Sequence, residues 1–418
     1  MAFVAHIAWL GKKSPFCGNV TYGLSTTEAL RQRGHTVSFI HFDTPAAPLP
    51  SLNRPAGGMV DPVGRAGSSR GNTREAAPWP ATKPTAEVTL PYLLKSQVYT
   101  IPSPRALGEL RTSLESLHPD LVHASLTLSP LDFRLPDLCQ QLNLPLVATF
   151  HPAFDAGLRN LAGGTQQLTY QVYAPALARF DRVIVFSELQ AEVLTRLGVP
   201  ESRLAVIPNG VDPQRWSPAP LDGDVAEAQE LGRRFAGQRI FLYMGRIATE
   251  KNVEALLRAW KLVQPRGGLL VVVGDGPLRQ PLMQTYGSEQ QVLWWGYEPD
   301  QRRRLALLRL AEVFLLPSLV EGLSLALLEA MATGTACVAT DAGADGEVLQ
   351  GGAGIVISTQ GVTTQLRTLL PVLSEQPVLT RELGRRARER VLERYTLNRN
   401  IDALEALYAQ LSPQPLAA

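Results

Sequence analysis

The feature that most constrains this chain is its repeated alternation of short apolar runs with longer stretches of helical period. Residues 269–273 read Leu-Leu-Val-Val-Val, with no polar residue to mark a solvent face. A strand of that kind is covered by helices on both sides, as in a parallel sheet. The pattern predicts strands at 3–9, 36–41, 121–124, 145–150 and 182–186 in the first half, and at 239–244, 269–274, 292–295, 313–316 and 336–340 in the second. A chain of 418 residues exceeds what one core organises, so two lobes of roughly 200 residues each are expected. The fold class that follows is α/β, with two doubly wound parallel-sheet, Rossmann-like domains.

Two compositional breaks punctuate this pattern. Residues 208–224, rich in Pro, Asn, Gly and Asp, read as turns and an interdomain linker. Residues 44–90 carry Pro, Gly, Ala and Ser with few large apolar side chains, and read as a disordered insertion in the first domain. The expected organisation is a domain over 1–207, the linker, a domain over 225–395 and a terminal helical segment over 396–418. In that segment Ile401, Leu404, Leu407 and Leu411 form one apolar face.

Charge and cysteine usage exclude several classes. Forty Lys and Arg against 38 Asp and Glu give a net charge of +2, which offers no electrostatic case for nucleic acid. Cys17, Cys139 and Cys337 form neither a CxxC pair nor an even framework, against a zinc ribbon or a disulfide scaffold. The opening MAFVAHIAWLGKK places its lysines after the apolar run, the reverse of a secretory signal. No stretch approaches the roughly 18–20 apolar residues that span a bilayer. A cytoplasmic protein is expected, with contact to a membrane surface left open.

Three elements of the second half carry chemistry. In LPSLVEGLSLALLEAMATG, residues 316–334, Ser324 caps an expected helix running to Thr333, with Gly334 as its stop. Glu321 precedes the helix and Glu329 lies within it. A carboxylate suits vicinal hydroxyls, since its two oxygens accept two parallel hydrogen bonds, while the helix N-terminus suits a phosphate. The alternative is an ordinary helix with one capping and one solvent-facing glutamate. In FLYMGRIATEKN, residues 241–252, Arg246 and Lys251 flank a strand-to-helix turn, where they can neutralise a diphosphate or stand as solvated charges. In VVVGDGPL, residues 271–278, Gly274 and Gly276 permit close backbone approach to a flat ligand. Neither GxGxxG nor a P-loop is present, and Asp222-Gly223-Asp224 reads as a turn rather than a metal site. All six histidines lie within the first 151 residues. His123 and His151, at strand ends, are the two candidates for chemistry completed by lobe closure.

These elements, in this order, resemble glycosyltransferase family 4, the large family of retaining enzymes with the GT-B fold. Matching residues include Gly34-His35, His151, Ser187, Pro208-Asn209-Gly210-Val211-Asp212, Gly245-Arg246 with Lys251, Gly274-Asp275-Gly276-Pro277, Glu321 with Glu329, and Glu347. The resemblance implies transfer of a hexosyl unit from a nucleotide sugar, a UDP- or GDP-hexose, with no required metal. Glu321 would contact the donor sugar, and Glu329 the ribose. Arg246 and Lys251 would hold the diphosphate. His151 and Gly18 would approach from the first lobe. Gly274, Gly276, Leu323, Ser324 and Asn209 would line the donor site, and the last helix would cross back to the first domain. The chain departs from the family where Cys17-Gly18 replaces a Gly-Gly pair and Leu323-Ser324 replaces Phe-Gly. VHASLTLSP and ATFHPAF, residues 122–130 and 148–154, are similar to lipid-glycosylating members such as sulfoquinovosyl and phosphoinositol mannosyl transferases. That similarity implies a lipid acceptor docked at the inner face of a membrane, with Tyr92, Leu93, Leu94 and Lys95 as candidate contacts; a soluble acceptor remains the alternative. Two rivals are an epimerase or phosphorylase on the same fold and a catalytically silent binding protein.

Overall fold

The structure, a computed structural model, describes residues 3–14, 18–43, 86–96, 99–152, 161–220 and 222–411. The first lobe is a parallel sheet of β1 (His6–Gly11), β2 (Thr36–Phe42), β3 (Ala86–Leu90), β6 (Leu121–Ser125), β7 (Leu146–Thr149), β8 (Arg182–Val185) and β9 (Leu204–Val206), in the order β3-β2-β1-β6-β7-β8-β9. A short antiparallel hairpin, β4 (Tyr92–Lys95) and β5 (Thr100–Pro102), stands outside it. The second lobe is a parallel sheet of β10 (Arg239–Met244), β11 (Gly268–Val273), β12 (Val292–Gly296), β13 (Ala311–Leu316), β14 (Ala336–Thr340) and β15 (Ile355–Ile357), ordered β12-β11-β10-β13-β14-β15. Two doubly wound α/β domains are therefore present, as the periodicity predicts.

Five strands escape the pattern. β9 and β15 are three-residue edge strands, too short to carry a period. β4 and β5 pair only with each other. β3 corrects the expectation for residues 44–90: Ala86–Leu90 pairs in register with Ser38–Phe42 and adds a seventh strand. It was hidden because only alternate residues are covered at this sheet edge, with Leu90 fully buried and Glu87 exposed. Residues 44–85 lie outside the described residues, as does Cys17.

The second lobe has one large core around Phe241, Trp260, Phe314 and Leu327. The first lobe has two, one on each face of its sheet. One of these contains Ile7, Trp9, Tyr22 and Leu30 together with Ile401, Leu404, Leu407 and Tyr408. The helix Leu397–Leu411 thus crosses from the second lobe and closes a face of the first. Arg33 clamps its outer side through Asp402 and Glu405, and His35 Nε2 lies 3.0 Å from Glu405. The two crossing segments run side by side, with Val211 N donating to Tyr395 O and Leu397 N to Val211 O, both 2.9 Å. A Cβ on Gly210 would sit 2.5 Å from Thr396 O, so only glycine lets the chains touch there.

Candidate active site

In open α/β sheets, ligands bind beyond the carboxyl ends of the strands where the strand order reverses. In the second lobe that point lies between β10 and β13. The loop after β10 carries Gly245 and Arg246, with Lys251 at the end of its following turn; the loop after β13 carries Glu321. The two loops are tied by Leu319 N donating to Glu250 O at 2.8 Å. Lys251 Nζ lies 2.5 Å from Glu321 Oε1, which also accepts from Ser318 Oγ at 2.8 Å. Glu321 is nearly buried, whereas Arg246 is exposed and only loosely paired with Glu250, at 3.7 Å. One cation is thus held by a nearly buried carboxylate, while the other stands exposed at the rim.

Ser324 caps the helix Leu325–Ala332 by accepting from Leu327 N, and Gly334 ends the turn that follows it at φ +75°. Glu329 lies inside this short helix, and burial pushes its carboxyl up to about 7 against the pull of Arg304. Leu323 is buried, and its carbonyl accepts from Asn209 Nδ2 at 3.4 Å, which ties the linker to this loop.

Gly274 and Gly276 each stand against another stretch of backbone. A Cβ on Gly274 would lie 1.9 Å from Gly245 O, and one on Gly276 2.3 Å from Ile247 O. The space that these glycines leave open is filled by backbone of the Arg246 loop. Ile247 N donates to Asp275 O at 2.9 Å and locks the two loops together. Gly274 and Gly276 therefore set the height of the Arg246 loop, a close approach of chain to chain.

The first lobe faces this edge with His151, which follows β7. A Cβ on Gly322 would lie 3.1 Å from His151 O, so the lobes meet at this point. His151 Nε2 is 2.8 Å from Ser125 Oγ, and its ring packs against Tyr22 and Phe186 at 5.0 and 5.3 Å. Burial, with Lys12 nearby, pushes its pKa down to about 3, so it is a neutral imidazole. His123, the other candidate, does not reach the cleft. It is fully buried, with Nε2 2.7 Å from Thr149 Oγ1, Nδ1 on the Tyr408 hydroxyl, and its ring 4.1 Å from that of Trp9. Gly18 opens the helix Gly18–Gln32 and is exposed. Asp224, of the rejected Asp-Gly-Asp motif, is spent on Arg215, 2.9 Å away, and Arg309.

Sequence reasoning missed three residues here: Ser318, Ser125 and Asp345. Each acts on a partner distant in the sequence or through a commonplace side chain, so no spacing marked it. Glu347, noted in the same run as Asp345, sits at the seam between lobes, where burial and Glu188 raise its pKa.

The comparisons with known proteins agree with this geometry. The sequence model for "Glycosyltransferase Family 4" matches residues 18–215, and that for "Glycosyl transferases group 1" matches residues 238–371. The alpha-maltose-1-phosphate synthase of Mycolicibacterium smegmatis is 30% identical over 266 residues, which are 60% of this chain and 68% of that one. The UDP-Gal:alpha-D-GlcNAc-diphosphoundecaprenol alpha-1,3-galactosyltransferase of Escherichia coli is 26% identical over 227 residues; the match covers 52% of this chain and 57% of that relative's length. Among solved structures, Anabaena HepE in complex with UDP-glucose superposes with a TM-score of 0.71 at 16% identity, over 97% of this chain and 100% of that one. With two family models spanning both lobes, a relative at 30% identity and the GT-B architecture in place, the chain belongs to the group 1, family 4 glycosyltransferases.

Proposed function

We propose that this protein transfers a hexosyl unit from a nucleotide sugar, UDP- or GDP-linked, to a hydroxyl acceptor with retention of anomeric configuration. The observation that carries this reading is the Lys251–Glu321 pair, at the strand-order reversal of one lobe, meeting His151 of the other across Gly322. In the reaction the bond from the anomeric carbon to the diphosphate breaks and a bond to the acceptor oxygen forms on the same face. The acceptor proton passes to the leaving phosphate oxygen. Arg246 and Lys251 neutralise the charge that builds there, the term that preorganised electrostatics supplies best. No metal is required in this scheme. Glu329 takes the ribose hydroxyls in its ionised form, Glu321 takes a sugar hydroxyl, and His151 contributes a neutral hydrogen bond. Gly18, Leu323, Ser324 and Asn209 line the donor cleft, with Gly274 and Gly276 supporting it from behind. The UDP-glucose bound by HepE supports a nucleotide-sugar donor.

The acceptor we favour is a membrane glycerolipid. The β4–β5 hairpin supports it, because Leu93, Leu94, Tyr99 and Ile101 are exposed there together. So does the undecaprenol-linked acceptor named for the Escherichia coli relative. No helix among the described residues is long and apolar enough to cross a membrane. A lipid acceptor would bring the chain against the inner membrane face. Thermal stabilisation by UDP-, GDP- and ADP-hexoses tests the donor. At about 100 times the dissociation constant, a true donor adds about 2.7 kcal/mol of stability, and Glu329→Ala abolishes the shift. Lipid extracts and soluble glycans are then offered as acceptors to the stabilising donor. A chain stabilised by none of the three nucleotides overturns the reading.

A further inference from the structure

The turn Glu321–Ser324 is held from behind by the loop that follows β14. Ala344 N donates to Gly322 O at 2.8 Å, and Gly343, at φ +57°, packs so closely that a Cβ would lie 2.0 Å from Glu321 O. Asp345 supplies the third tie, its Oδ1 accepting from Ser324 N at 2.9 Å. Asp345 is 1% exposed, and its Oδ2 is buried with no hydrogen-bond partner among the described residues. The charged groups whose fields reach it are Glu321 and Lys251, and Lys251 Nζ already lies on Glu321 Oε1. An ionised Asp345 would leave a bare carboxylate oxygen in the interior beside a second carboxylate, an arrangement that desolvation and repulsion both oppose. A proton on Oδ2 removes the charge and leaves Oδ1 free for the Ser324 amide.

We propose that Asp345 is a positioning residue that acts as a neutral acid, holding the Ser324 amide so that the Glu321–Ser324 turn stands where it meets the donor sugar. This rests on the donor-site reading above. Burial and Glu321 both push its pKa well above the usual range, in keeping with that form. A neutral acid with one accepting oxygen is matched in shape and hydrogen bonding by an amide, so asparagine is expected to replace it.

The experiment compares wild type, Asp345→Asn and Asp345→Ala by nucleotide-sugar titration, steady-state kinetics and melting temperature against pH. Asp345→Asn is expected to stay within about twofold of wild type in donor affinity and kcat. Asp345→Ala, which leaves the Ser324 amide without its acceptor, is expected to weaken donor binding by roughly tenfold, the worth of about one hydrogen bond. A group whose folded pKa is raised contributes stability at low pH that is lost as pH rises through the folded value. Wild type should therefore lose ground in melting temperature to Asp345→Asn as pH rises from 5 to 9. Should Asp345→Ala not fold, the comparison of wild type with Asp345→Asn decides the matter alone. An asparagine variant much weaker than wild type in donor binding, or an alanine variant equal to it, overturns the proposal. If wild type itself binds no nucleotide sugar, the donor-site reading fails and this role fails with it, a result distinct from a wild type that binds no better than Asp345→Ala.

Discussion

The two lobes share an architecture and divide the chemistry unequally. The second lobe presents Arg246, Lys251, Glu321 and Glu329 from two strand-to-helix units, those that follow β10 and β13, with its main ion pair formed at 2.5 Å. The first lobe presents a neutral His151, and behind it a buried polar chain runs from Tyr408 through His123 and Thr149 to Tyr22. The candidate residues of one lobe are charged. Those of the other are neutral and hydrogen-bonded, and its core is closed by the helix Leu397–Leu411 arriving from the far end of the chain. Function in a two-lobed enzyme can thus rest on local motifs on one side of a cleft and on long-range assembly on the other.

The largest effect expected is on assembly. Leu404 is fully buried in the first-lobe core, and Leu404→Ala should cost about 2–5 kcal/mol of stability. Denaturant melts measure that loss. Nucleotide-sugar affinity should stay near wild type wherever the chain remains folded, since the charged residues proposed for the donor lie in the other lobe; a large loss of affinity in folded protein would break the comparison. Next comes charge. Lys251→Ala should lower kcat by about 10²–10³, as loss of one preorganised electrostatic contact does. Turnover near normal in that variant would remove Lys251 from the phosphate site.

The smaller effects sharpen the contrast through pH. His123 and His151 are held near 3 by burial, well below the ordinary value of 6.5. Their neutral form contributes stability that is present above about pH 6.5 and lost as pH falls toward 3. Each imidazole should cost up to about 1.4 kcal/mol per pH unit in that window. Melting curves from pH 7 to 5 should show the fall, and His123→Gln should flatten it. In the second lobe, burial raises the pKa of Glu329 to about 7, and on the proposed reading only its ionised form would accept two ribose hydroxyls. Donor affinity should therefore rise about tenfold between pH 6 and 8, a rise that Glu329→Gln removes while leaving residual binding. A flat wild-type profile would take Glu329 out of the ribose site.

Much of this was legible in advance, for reasons that differ by lobe. Ser324, Glu321 and Glu329 sit within one strand-turn-helix unit, where capping and periodicity act over a few residues, so their arrangement follows from local rules. Gly274 and Gly276 show their property in the sequence but not their neighbour. A glycine advertises that something comes close, and only the fold reveals that it is the backbone of Gly245 and Ile247. His123 and His151 look alike in sequence, each at a strand end, yet one is walled in by Trp9 and Tyr408 and the other brings its backbone carbonyl to Gly322. β3 was lost in a segment whose average composition hides a five-residue strand.

The sequence by itself determined the α/β class and the strand-turn-helix units that carry Arg246, Lys251, Glu321 and Glu329, because strand and helix periods and cap residues act over short distances. Tertiary structure decided that His123 is walled into the first-lobe core, what lies beside the glycines, and that Asp345 holds the turn beneath Glu321. Those outcomes depend on packing between segments tens to hundreds of residues apart, where burial and the neighbouring charge set what a side chain can do.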